Sequence, residues 1–115
     1  VIRTISEVLV NNIKGSDYAI RFGGEEFLLI TFGTTKESSV KIANNIRTEF
    51  AKKVFKAEKE TFKKTLSIGV ANYPENASSS WQCIKFADVA LYHAKETGRN
   101  KVVLFEPSLY DEEKI

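Results

Sequence analysis

The sequence of 115 residues predicts an α+β domain, a single sheet with helices packed on its face. Three observations carry that prediction. Apolar residues recur at helical spacing in three separate segments. Two β-branched and aromatic runs flank a Gly-Gly pair. The remaining strand-like runs alternate with helices, giving the order helix, strand, strand, helix, strand, helix, strand.

Each element has its own local reason. Val1, Ile2, Ile5, Val8, Leu9 and Ile13 share one helical face, and Gly15 supplies a stop just beyond it. Residues 18–22 and 25–32 read as strands joined by a Gly23-Gly24 turn, because tight hairpin turns need the positive φ that glycine accepts. Residues 28–30 are apolar without alternation, the pattern of a central strand covered on both faces. Thr34 or Thr35 is positioned to cap a second helix whose stripe is Val40, Ala43, Ile46, Phe50 and Val54. The polar residues 55–64 suit a short hairpin or loop. Leu66, Ile68 and Val70 alternate with Ser67, Gly69 and Ala71 in a further strand that Pro74 ends. Ser80 is the expected N-cap of a third helix lined by Trp81, Ile84, Ala87, Leu91 and Ala94 and closed by Gly98. Trp81 is expected to anchor the start of that helix in the core, and Tyr92 to pack on the sheet. Residues 102–105 make a last strand, so the domain is expected to occupy 1–105, with 106–115 as a tail.

Composition narrows the function. Hydrophobic residues make up 43% and charged residues 28%, the balance of a folded globular domain rather than a disordered one. Seventeen basic residues against fifteen acidic ones leave a formal charge of only +2, which argues against a dedicated nucleic-acid surface. No run approaches the ~18 apolar residues of a membrane helix. The sole cysteine, Cys83, excludes an internal disulfide and a cysteine metal cluster, and is read as a small buried residue suited to a cytoplasmic setting. The chain opens on Val1 inside a helical pattern, as expected of a chain that starts within a domain.

The most informative stretch is Arg21-Phe22-Gly23-Gly24-Glu25-Glu26-Phe27. Glycines let a backbone approach a bulky phosphate, and adjacent carboxylates can hold Mg²⁺, a hard cation usually shared with substrate phosphates. By itself the tetrapeptide is equally a plain turn followed by solvated glutamates. Lys95 and Arg99, four apart at a helix end, can face one anion together or simply complement the helix dipole.

These residues resemble a known family. The Gly23-Gly24-Glu25-Glu26-Phe27 run is similar to the GG[DE]EF signature of bacterial diguanylate cyclases. Residues Leu66-Ser67-Ile68-Gly69-Val70-Ala71 resemble the family's SIGVA strand, and the stretch from Ala87-Asp88 through Gly98-Arg99-Asn100 its AD-x-ALY-x-AK-x-x-GRN helix end. The resemblance implies a sheet like those of nucleotidyl cyclases and polymerase palms, with a first strand and helix missing before Val1. It implies condensation of two GTP molecules into cyclic di-GMP with loss of pyrophosphate, using Mg²⁺ and a homodimer that brings two half-sites face to face. Glu25 and Glu26 would sit at the metal, with Glu25 assisting deprotonation of the 3′-hydroxyl. Gly23 and Gly24 would lie against the nucleotide, and Lys95 and Arg99 would contact phosphates. An upstream sensor or receiver domain, and membrane attachment of the longer protein, belong to the same expectation.

Two departures from the family pattern matter. The family's preceding D-x-D-x-FK-x-x-ND block, which supplies a metal-binding aspartate and guanine contacts, has no counterpart here, so the chain alone is expected to be inactive and the chemistry to belong to a longer protein. Lys14 and Asp17 stand where many members carry the R-x-x-D product-inhibition motif. Lysine lacks the planar fork of arginine, so weak or absent product inhibition is expected. Two further readings follow: a non-catalytic regulatory module that binds GTP or a partner domain, and cyclase chemistry on another nucleotide.

Overall fold

The computed structural model describes residues 2–12, 18–23, 25–73 and 77–109. Its elements are α1 (Ile2–Asn12), β1 (Tyr18–Gly23), β2 (Glu26–Phe32), α2 (Lys36–Ala51), β3 (Phe55–Ala57), β4 (Glu60–Phe62), β5 (Ser67–Tyr73), α3 (Ser80–Glu96) and β6 (Val102–Leu104). The segment expected to be a hairpin or loop is a two-stranded antiparallel hairpin, β3–β4, set apart from the main sheet. The main sheet runs β1-β2-β5-β6, with β1 antiparallel to β2 and the β2–β5 and β5–β6 pairs parallel.

Helices cover both faces of this sheet. On one side Ile5 and Val8 of α1 and Ala43, Ile46 and Phe50 of α2 pack with Phe27, Leu29, Ile68 and Val70. On the other, Cys83, Ala87, Ala90 and Leu91 of α3 meet Leu28, Ile30 and Ala71. The central strands β2 and β5 are therefore buried on both sides, as the unbroken apolar run at 28–30 predicts. The expected alternation in β5 does not separate core from solvent, because Ser67, Ile68, Gly69, Val70, Ala71 and Asn72 are all buried.

Polar residues inside this core are paired with one another. Thr31 and Ser39 hydroxyls lie 2.8 Å apart, and the Asn72 amide donates to both, tying β2 and β5 to the first turn of α2. Thr35 caps that helix by accepting from the Ser38 N–H at 3.1 Å. The cap of α3 is Ser79 rather than Ser80, its hydroxyl accepting from the Gln82 N–H at 3.1 Å.

Three aromatic or apolar expectations fail. Trp81 is 78% exposed, because it lies two residues, about 200° of helical turn, from the fully buried Cys83 and so off the face that packs on the sheet. Tyr92 is 46% exposed, since it lies about 100° around the helix from the buried Leu91. Val54 is exposed because α2 ends at Ala51, before the stripe reaches it. At the other end, Phe105 is buried and Leu109 packs partly against the α3 core. Val1, Ile13 and Gly15, read as parts of the first helix and its stop, lie outside the described residues, as does Pro74.

Cys83 is fully buried, and burial pushes its thiol up to about 11. The folded state thus holds the proton where an unfolded thiol would lose it. This contribution to stability is complete below the unfolded value of ~8.5 and is lost as pH rises towards 11. Alkylation of native protein by iodoacetamide at pH 8 should run at least about a hundredfold slower than in denaturant, because thiolate and access are both scarce. Equal rates would show that the thiol is open to solvent.

Candidate active site

The hairpin between β1 and β2 builds the acidic end of the site. Gly23 pairs with Glu26 across the antiparallel ladder, with a register shift between Arg21 and Gly23. Gly23, expected in the turn, is therefore the last residue of β1, and Glu25, expected in the strand, lies in the turn. Gly24 itself lies outside the described residues, as do Lys14 and Asp17. Glu25 sits in the turn and Glu26 opens β2, both half-buried.

The basic end comes from the turn after α3. Thr97 N–H bonds to the His93 carbonyl and Gly98 takes a φ of +120°, ending the helix. Arg99 and Asn100 continue with φ of +61° and +48°, a left-handed pair that costs roughly 1 kcal/mol at a non-glycine residue. Several bonds fix that conformation. The Arg99 N–H donates to the Ala94 carbonyl at 2.9 Å, and the Arg47 guanidinium donates to the Asn100 side chain at 3.0 Å.

Ser67, the first residue of β5, joins the two ends. Its N–H donates to the Glu25 carbonyl at 2.9 Å, while its hydroxyl accepts from the Asn100 N–H at 3.2 Å. The next residue, Ile68, bonds through its N–H to the Lys101 carbonyl at 3.0 Å. The three sequence blocks therefore meet because β5 lies between β2 and β6 and holds the acidic turn and the basic turn at one end of the sheet.

The side chains converge there. Lys95 Nζ and Arg99 Nη1 each lie 3.5 Å from a different oxygen of Glu26. These are long contacts between partly exposed groups, together worth at most about 1 kcal/mol, so an incoming anion can replace them at little cost. Glu25 has a separate partner that no sequence pattern revealed: Lys64 Nζ lies 2.9 Å from its Oε1. Two carboxylates and three cations leave the cluster formally positive by one charge, suited to a polyanion.

Among the described residues no group of three or more His, Cys, Asp and Glu could hold a metal. Two adjacent carboxylates nevertheless fit Mg²⁺, which keeps waters and takes one or two carboxylates together with substrate phosphates. Both carboxylates are only half-buried, so a hydrated cation carried by a phosphate could reach them. No described helix is long and apolar enough to cross a membrane.

Comparison with known proteins identifies the family and the fold. Residues 1–101 match the family described as diguanylate cyclase, GGDEF domain. Diguanylate cyclase DosC of Escherichia coli strain K12 is 35% identical over 111 residues, which are 95% of this chain and 24% of that protein. The GGDEF domain of YfiN (TpbB) from Pseudomonas aeruginosa is similar in structure, with a TM-score of 0.77 at 26% identity over 97% of this chain and 66% of that one. The GGDEF domain of DgcB from Caulobacter crescentus, solved in complex with c-di-GMP, gives 0.71 at 28% identity over 90% and 61%. The chain thus spans about a quarter of the length of the curated relative. With its sheet, its acidic turn and its basic helix end assembled as they are, the chain belongs to the GGDEF family of diguanylate cyclase domains.

Proposed function

We propose that the protein carrying this domain condenses two GTP molecules into cyclic di-GMP. The observation that carries the reading is the meeting of Glu26 with both Lys95 and Arg99, directly beside Glu25. DosC is itself named a diguanylate cyclase, and the GGDEF domain of DgcB was solved in complex with c-di-GMP, which supports cyclic di-GMP as the product here.

In this reading Gly23 and Gly24 lie against the nucleotide, their lack of side chains letting the backbone come close. Lys95 and Arg99 leave Glu26 for the phosphates and stabilise the charge that develops on the departing pyrophosphate. Glu25 takes the proton of the 3′-hydroxyl as its oxygen attacks the α-phosphorus of the second nucleotide. The new P–O bond forms as the bond to pyrophosphate breaks, and the step repeats in the other direction to close the ring. When bound by Glu25 and Glu26, Mg²⁺ would supply charge stabilisation at the phosphoryl centre and lower the pKa of the attacking hydroxyl. Each domain holds one GTP, so two copies face one another, and positioning supplies much of the rate gain.

The test is to incubate the protein with GTP and Mg²⁺ and follow cyclic di-GMP and pyrophosphate, with the Glu25→Ala variant alongside. Both products are expected from the parent. A parent that binds GTP and forms neither would instead be a regulatory module.

A further inference from the structure

We propose that Lys64 is the resident counter-ion of Glu25, holding that carboxylate against bare divalent metal and yielding it to metal that arrives with a nucleotide. The inference rests on the metal-site reading above and adds a control on how that site fills.

Lys64 is placed by the fold rather than by chance. It follows β4, and the Lys64 ammonium lies 6.0 Å from the centre of the Phe62 ring. Phe62 stacks on Phe55 at 5.5 Å, and Phe55 in turn meets the fully buried Phe50 of α2 at 5.7 Å. The small hairpin is thus rooted in the core by an aromatic ladder. On its other side, Lys64 precedes β5 by three positions, and Ser67 at the start of β5 bonds to the Glu25 backbone. Both ends of the segment are fixed, so the lysine is delivered to this carboxylate. The other two cations of the site reach Glu26 instead, leaving Glu25 to Lys64 alone among the described ion pairs.

The consequence is electrostatic. A bare divalent ion at Glu25 must break a 2.9 Å ion pair and then sit near an uncompensated ammonium. Metal that arrives on a triphosphate brings its own negative charge, and the released ammonium gains a phosphate partner in exchange. Lys64 therefore penalises empty metal loading and spares productive loading.

Mn²⁺ binding to the full chain without nucleotide, followed by electron paramagnetic resonance at low salt, tests this directly. Lys64→Met should tighten Mn²⁺ binding about three- to tenfold, and the gain should shrink as salt is raised. Lys63→Met removes the same charge from the exposed neighbour and should change binding by less than about twofold. Lys64→Arg should keep the parent affinity, and melting curves confirm that all variants are folded. Equal tightening in the Lys63 and Lys64 methionine variants, or none in either, overturns the role of Lys64 while leaving the metal site standing. If neither the unmutated chain nor Lys64→Met takes up bare Mn²⁺, removing the ammonium has not opened the carboxylate and this inference is overturned. Mn²⁺ uptake in the presence of GTP separately decides the metal reading.

Discussion

Gly69→Ala is expected to destabilise the domain by about 3 kcal/mol or more, or to prevent folding. Gly69 sits in β5, paired with Leu28 on one side and Val103 on the other, and α3 passes directly over it. A β-carbon there would be driven into the carbonyl oxygen of Ala87 and would lie 2.5 Å from the Leu91 nitrogen and 2.9 Å from its Cα. Ordinary overpacking costs 1–3 kcal/mol because side chains can turn aside. Here every obstacle is backbone, so the whole helix would have to lift, and Ala87, Ala90 and Leu91 would lose contact together. Urea denaturation and melting give the readout, with Tm falling by at least about 10 °C. A loss under 1 kcal/mol would mean that α3 rides higher above the sheet than its contacts indicate.

Glu25→Gln should reduce cyclic di-GMP formation by about 10²- to 10⁴-fold, the range for loss of a positioned general base, while leaving the melting curve within about 1 °C. The substitution keeps the size of the side chain and can retain a hydrogen bond to Lys64, since the amide oxygen still accepts. Glu25 is half-buried at a turn, so little packing is at stake. GTP binding should survive better than turnover, because Lys95 and Arg99 are untouched. If turnover persists within tenfold of the parent, the proton goes elsewhere and Glu25 is not the base.

Local patterns made most of the fold legible. The apolar run at 28–30 marked a central strand, the Thr34-Thr35 pair marked a helix start, and Gly98 marked a helix end, because each signal acts within a few residues. Trp81 misled because it lies off the face that Cys83 and Ala87 bury, and Val54 because periodicity does not say where a helix stops. The site was legible in part for the same reason. Glu25 and Glu26 are adjacent in sequence, and Lys95 and Arg99 are one helical turn apart, so each pair could be seen. Lys64 could not, since it reaches Glu25 from 39 residues away and only the β2–β5 register brings them together. Nor could sequence divide the cations between the two carboxylates. That division appears only in the folded chain, where Lys64 pairs with Glu25 in the turn while Lys95 and Arg99 reach Glu26 at the start of β2.

In the phosphate-binding role proposed for Arg99, its left-handed backbone sets durability against activity at a single position. Glycine would relax that torsion and make the domain a little hardier, yet it would take away the guanidinium. Any laboratory selection that rewards heat resistance alone will therefore drift towards silent proteins here. Under the same proposal, homologues with glycine at this place are expected to keep the fold and to lose a phosphate contact.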